Sequence, residues 1–478
     1  MIKDDVIAVC ANGQKFLAPE ALEYILSNDK PLELVNTVIK HTVKEKMFLT
    51  KQDIIDAITG DAKEEPIKTV VPKNKFTSDI SIIKSSDITG NSTSTGTVEE
   101  FANYIKNRYV SLSRIIESHA SFGKSMTFES SKKYDRDDLK VIGIVFSSKE
   151  TKNGHRMLQV EDLSGMYNVM ILKSSPFIEE SYIEDEVIGF VGRWNTEKTL
   201  FMVKRIVRPD VPKTNRWEPL DTDSKVMFLS DIHMGSKTFL DNDWKRAMSW
   251  LRDNADNDIN YIVLPGDVVD GIGVFPDQDQ ELKELDIYNQ YDMLGEALKD
   301  VPDHIKMVLH PGNHDACRLA EPQPALQSVF TKTFDSNIIL TGNPIYINIE
   351  GKKILSYHGK SMDDWVSKVK GLSYDRPNDI MKQMCIRRHL APIYGAKNAL
   401  MPEEKDYLAI NTVPDVLVTG HIHKASLGLY NGVRLINAST FQDQTNYQKM
   451  HNFIPSPGRV PILTLSTGSI SLQDFHKV

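Results

Sequence analysis

Cysteine is scarce in this 478-residue chain: Cys10, Cys317 and Cys385 are odd in number and far apart. They supply neither a disulfide framework nor a zinc-finger spacing, and they suit a reducing, cytoplasmic setting. No run of about 18 apolar residues occurs, so no membrane span is expected. The first residues, MIKDDVIAVCANGQ, carry acids where a secretory signal needs a basic stretch and then an apolar one. Positive charge is also short, with 57 Lys and Arg against 65 Asp and Glu, a formal net charge of −8. That argues against a protein held on nucleic acid by bulk positive charge. It leaves room for a nuclease whose metals and local Lys or Arg groups meet the phosphates. Hydrophobic content of 40% is enough for large cores, and the length implies about two to four domains.

The texture changes along the chain. Residues 1–60 read as a small helical module. Leu22, Ile25 and Leu26 form one apolar stripe, and Leu34, Val35, Val38 and Ile39 another. Thr50 with Asp53 resembles a capping box ahead of Ile54, Ile55 and Ile58. Residues 61–96 lose the periodicity and fill with Ser, Thr, Gly, Lys and Asp, as a flexible linker does. Thr97 and Glu100 then open a helical connector, residues 97–136, with Phe101, Ile105, Leu112 and Ile116 on its apolar side. Residues 137–212 hold five short apolar segments separated by turn chemistry such as Lys152-Asn153-Gly154. That count and spacing fit an OB-type β-barrel, a pattern other small barrels share. A Pro-rich joint, RPDVPKTNRWEP, leads into residues 222–478.

That last block carries the chemistry. Five motifs follow strand-like apolar runs in order: Asp231-Ile232-His233, Gly266-Asp267, Gly312-Asn313-His314-Asp315, His358-Gly359 and Gly420-His421-Ile422-His423. Polar ligands just past the ends of buried strands are where open α/β sheets place their sites. Singly, an Asp-x-His or a Gly-Asp is usually a turn or a local hydrogen bond. Five in order, each after a strand, point to one site. Two divalent ions held about 3.5–4 Å apart can activate water and clamp a phosphate. Asp267 is the expected shared carboxylate. Asp231, His233 and His423 are assigned to one ion, and Asn313, His358 and His421 to the other. Mixed imidazole and carboxylate ligands suit Mn, Fe, Zn or Ni better than Ca. His314, next to a ligand, is expected to face the substrate, to stabilise or protonate the leaving oxygen, and to be oriented by a carboxylate such as Asp315. Asp270 and His310 read as supporting or loop residues. His41, His119, His155 and His451 lack such context and read as surface or core residues.

The motif order resembles the calcineurin-like metallophosphoesterase superfamily. The resemblance implies two mixed sheets flanked by helices, with the metals at the strand C-termini. FLSDIHMGS, LPGDVVDGIGVFP, HPGNHDACR, SYHGKS, RRHLAPIYG and VTGHIH, with NASTFQDQTNYQK and PSPGRVP further on, look like the small subunits of archaeal family-D DNA polymerases. The likeness is strong from about residue 137 onward, weak over the N-terminal module and absent from the linker. It implies a 3′–5′ proofreading exonuclease that releases 5′-mononucleotides. Its expected cofactors are two divalent ions, manganese or magnesium first. Its expected partners are a large catalytic polymerase subunit, single-stranded DNA 3′ ends and, through the N-terminal module, other replication factors. Arg387 and Arg388, in the RRHLAPIYG segment, are read either as DNA-backbone contacts or as members of structural ion pairs. The barrel's segments show few aromatics of the kind that stack bases, so a subunit-contact role is favoured for it. Two other classes remain open: a non-catalytic assembly subunit and a free-standing phosphatase or phosphodiesterase.

Overall fold

The computed structural model describes residues 2–12, 16–41, 48–51, 54–55, 57, 79–253, 258–450 and 452–476. The chain divides into two units, Met1–Thr77 and Ser78–Val478.

The first unit contains helices Ile2–Asn12, Pro19–Leu26 and Pro31–His41, with short strands β1 (Phe16–Leu17) and β2 (Phe48–Leu49) paired in parallel. Its core gathers Val6, Cys10, Ala21, Ile25, Val35, Val38, Leu49 and Ile54. The stripes read from the sequence supply four of these, Ile25, Val35, Val38 and Ile54. The first helix and the strand pair carry too little periodicity to be read. Asp53, Ile58, His451 and residues 61–78 lie outside the described residues.

The second unit begins earlier than a linker spanning residues 61–96 would allow. Strand β3 (Ile80–Ile82) pairs antiparallel with a strand formed by Ile345–Ile349. The polar stretch after it is strapped down: Glu403 accepts from Ser92 Oγ at 2.6 Å, from Thr93 N at 3.2 Å and from Arg318 Nη2 at 2.7 Å. A low-complexity composition therefore hides a segment ordered by a distant carboxylate.

Thr97 caps the helix Val98–Ser118 in a capping box with Glu100. Leu112 and Ile116 pack on the outside of a closed barrel of β4 (Leu139–Glu150), β5 (Arg156–Asp162), β6 (Gly165–Ile171), β7 (Val187–Trp194) and β8 (Leu200–Val207). The strand order is β4-β5-β6-β8-β7, with β6 and β8 parallel. Phe128, Trp194 and Phe201 form an aromatic cluster in the barrel core.

Two six-stranded mixed sheets build the rest. One runs β12-β11-β10-β9-β18-β19, from β9 (Lys225–Phe228), β10 (Ile259–Pro265), β11 (Lys306–His310), β12 (Ile338–Leu340), β18 (Arg459–Thr464) and β19 (Ile470–Asp474). The other runs β16-β17-β15-β14-β13-β3, adding β13 (Ile345–Ile349), β14 (Lys352–Ser356), β15 (Val416–Thr419), β16 (Ser426–Tyr430) and β17 (Val433–Asn437). Alternation along the strands assigns side chains to layers. Val226 and Phe228 enter a core shared with Ile347, Ile354 and Val416 of the other sheet. Met227 and Leu229 point the opposite way, into a core with Trp244 and Leu294 from helices Asp241–Asp253 and Ile287–Leu298. Leu355 and Leu417 likewise meet Trp365 and Met384 from helices Met362–Lys368 and Pro377–Arg387. Burial on both faces is why these strands read as unbroken apolar runs. Among the described residues no helix is long and apolar enough to cross a membrane.

Candidate metal centre

Each motif lies just beyond a strand end. Asp231 and His233 follow β9, Asp267 follows β10, Asn313 and His314 follow β11, His358 follows β14, and His421 and His423 follow β15. The backbone there is unusual. Asp231, His233, Asp267, His421 and His423 all have φ between 50° and 67°. Left-handed backbone at non-glycine residues costs energy and clusters at functional sites. Glycines make room for it. A Cβ on Gly312 would lie 2.2 Å from Asp267 Oδ1, and one on Gly420 would lie 2.4 Å from Asp231 Oδ2. Amides then fix the carboxylates: His314 N donates to Asp267 Oδ1 at 2.8 Å, and His421 N to Asp231 at 3.0 Å.

The side chains converge in two main groups, and Asp270 and His314 make a third with His233. In Asp231, His233 and His423 the possible ligand atoms lie within 4.8 Å of one another, and the same holds for Asp267, His358 and His421. His423 Nε2 is 3.3 Å from Asp231 Oδ1 and 3.0 Å from His233 Nε2. Both nitrogens are close enough to be offered to one divalent ion, were it bound. In the other group His358 Nε2 is 3.2 Å from Asp267 Oδ2 and 3.0 Å from Asn313 Oδ1. Asp267 Oδ2 also lies 4.0 Å from His233 Nε2 in the first group, so one carboxylate faces both. Asp231 and Asp267 are buried, and among the described residues their ion-pair partners are histidines alone. Two buried carboxylates without Lys or Arg are a donor set that fits divalent cations.

A second layer orients the rings. His233 Nδ1 lies 2.9 Å from Asp270 Oδ1, and His423 Nδ1 is 3.0 Å from Gln448 Nε2. His358 Nδ1 is 2.9 Å from the Pro265 carbonyl, and His421 Nε2 is 3.5 Å from Asp363 Oδ2. Partners of this kind fix which ring nitrogen is offered inward. Asp270, read from the sequence as a supporting or loop residue, thus lies in contact with His233. His310, also buried, meets Ser356 Oγ at 2.8 Å. Asp363 is not legible in the sequence, because it sits in no motif, and Gln448, although it lies in the NASTFQDQTNYQK stretch, is not singled out there.

Asp315 does not orient His314. Its carboxylate turns inward, accepting from Gly312 N at 2.8 Å and Tyr291 OH at 3.1 Å. The Asp270 carbonyl, 2.7 Å from His314 Nδ1, orients the ring instead. Adjacent residues leave a tight turn in different directions, so adjacency in sequence points to the wrong partner. Arg387 and Arg388 are buried structural groups. Arg387 Nε is 2.8 Å from Glu186 Oε2, and Arg388 donates to the carbonyls of Ile410 and Asn411.

The electrostatics reflect acids and imidazoles crowded together out of water. Burial lowers the pKa of His233 and of His421, which keeps their lone pairs free. Burial alone would also lower His358, but Asp267 beside it pushes it up to about 10. Burial would raise Asp267, yet His358 and His314 hold it well below the usual carboxylate range. Burial, with Asp267 adding to it, pushes Asp315 up to about 6.

Known proteins place the chain in a class. Residues 226–426 match the B-subunit family of DNA polymerases alpha and epsilon. The DNA polymerase II small subunit of Thermoplasma acidophilum is 35% identical over 461 residues, covering 95% of this chain and 92% of that one. That of Archaeoglobus fulgidus is 40% identical over 390 residues, covering 79% and 77% respectively. The chain belongs to this archaeal DNA polymerase II small-subunit family, the small subunits of family-D polymerases. Among solved structures, an archaeal phosphodiesterase aligns with 52% of this chain and 98% of its own, at 14% identity and a TM-score of 0.29.

Proposed function

We propose that the chain is the metal-dependent 3′–5′ exonuclease subunit of a replicative DNA polymerase. The reading is carried by the single carboxylate of Asp267 facing two ligand groups at once. Asp231, His233 and His423 would hold one divalent ion and Asn313, His358 and His421 the other, with Asp267 shared. Manganese or magnesium is preferred, with Fe, Zn and Ni also compatible with the donors. When bound, two such ions lower the pKa of water and offset charge on the phosphoryl group.

The chain's own residues do the rest. Asp231 and Asp267 anchor the site and are themselves fixed by backbone amides. His314 has its Nδ1 beside the Asp270 carbonyl, which leaves Nε2 to give a proton to, or hydrogen-bond, the departing 3′ oxygen. Hydrolysis at the terminal linkage then releases a 5′-mononucleotide. The names of the relatives support a large polymerase subunit as the partner. The strand order of the barrel, with its one parallel pair, supports an OB-type fold. Of its aromatics, Phe128, Phe190, Trp194 and Phe201 are buried in its core and Phe146 is exposed, as are the aliphatic side chains of Leu163 and Met166. That division favours a protein contact over a base-stacking platform. Asp267→Ala tests the reading. It should abolish metal-dependent DNA degradation while the chain still co-purifies with the large subunit. Full nuclease activity in this variant would overturn the assignment.

A further inference from the structure

We propose that Lys360 binds the DNA phosphate next to the one that is cut. The inference rests on the nuclease reading and adds a substrate contact to it. The chain leaves β14 through His358 and Gly359, so Lys360 emerges at the lip of the metal centre. Its ammonium donates to Asp363 Oδ2 at 2.7 Å. That same oxygen lies 3.5 Å from His421 Nε2, which ties the cation to the second ligand group. Tyr374 OH holds the other carboxylate oxygen at 3.0 Å, so Asp363 is a fixed mount.

Two features separate this lysine from an ordinary surface ion pair. Asp363 faces inward, its side chain only 19% exposed, and Lys360 is 30% exposed. An ammonium also carries three N–H donors. Asp363 is the hydrogen-bond acceptor Nζ meets among the described residues, so donors are left over at the edge of the centre. Two bound divalent ions would repel this cation, and the single charge of Asp363 offsets that only in part, so a further anion is favoured beside Nζ. The backbone of a polynucleotide supplies that anion, one phosphate along from the linkage held by the metals. A small phosphodiester has no second phosphate to offer. Lysine suits the task as a compact point charge that tolerates a moving backbone.

The test uses the full chain assembled with the large subunit, a single-stranded oligonucleotide and Mn²⁺. Lys360→Met should raise KM for DNA about tenfold with a smaller change in kcat, and Lys360→Arg should restore KM to within about threefold. The slope of log(kcat/KM) against log salt should become shallower by roughly 0.7, the loss of one single-strand phosphate contact. In parallel, anisotropy on His314→Ala protein reads DNA affinity without turnover, and adding Lys360→Met should weaken it by a similar factor. Wild-type KM and affinity in the Met variant would overturn the proposal. So would a fall in kcat with KM unmoved, which would make Lys360 a support for His421. An inert wild-type protein would instead sink the nuclease reading, while the anisotropy still decides whether Lys360 holds DNA.

Discussion

Asp270 Oδ1 sits 2.9 Å from His233 Nδ1 and so turns His233 Nε2 toward His423 and Asp231. Burial raises the cost of a charged Asp270, but the His233 contact holds its carboxyl below the ordinary value. The pair has the geometry of the carboxylate–histidine contacts that tune metal sites, the role proposed for it here. Asp270→Ala should therefore weaken metal binding by about 10–100-fold with the fold intact. Titration calorimetry with Mn²⁺ checks this, and unchanged affinity would remove Asp270 from the site.

His314 lies against His233, with ring centroids 4.7 Å apart, and is proposed as a proton donor rather than a ligand. His314→Ala should lower kcat on DNA by about a hundredfold or more, while bound metal, measured by elemental analysis, stays at the wild-type level. A parallel loss of metal would show that His314 is a ligand rather than a proton donor.

Much of this centre is legible in the sequence because its chemistry is local. Asp231, His233, Asp267, Asn313, His358, His421 and His423 each follow an apolar strand, and glycine marks the close approaches. The two mixed sheets follow from the same unbroken runs. What escapes the sequence is non-local. Asp363 reaches the site from a helix whose sequence carries no motif, and the NASTFQDQTNYQK stretch does not reveal that Gln448 turns toward His423. Adjacency suggests His314 as the partner of Asp315, whereas the turn directs that carboxylate to Gly312 and Tyr291. The polar run before Thr97 looks like linker because nothing in it reveals Glu403, about three hundred residues on.

That strap gives a further prediction. Glu403 is buried and takes hydrogen bonds from Ser92, Thr93, Ser94 and Arg318. Glu403→Ala should release the segment and open Lys84 to trypsin, a site expected to resist cleavage in the wild type. Mass spectrometry of early fragments reads this directly, and an unchanged pattern would refute the strap.

His389 should make stability depend on pH. It is buried beside Arg108 and Asp406, with Nε2 2.7 Å from Asp406 Oδ2. Burial first, and Arg108 next, lower its pKa from 6.5 to about 4. Between these values the unfolded chain binds more protons, so stability rises with pH. The contribution is complete above about pH 6.5 and is lost as pH falls toward 4, amounting to at most about 3 kcal/mol. Denaturant unfolding at several pH values should show this slope, and His389→Gln should flatten it. An equal slope in the variant would contradict the assignment.

A metal-dependent 3′ exonuclease centre, as proposed for this chain, has one decisive assay. The most direct measurement is degradation of 3′-labelled and 5′-labelled single-stranded DNA by the chain assembled with its large subunit, in Mn²⁺ and then in EDTA. The 3′ label should leave at once as a mononucleotide and the 5′-labelled strand should shorten in a stepwise ladder, with neither change in EDTA. Intact DNA in Mn²⁺, or loss from the 5′ end, would contradict it.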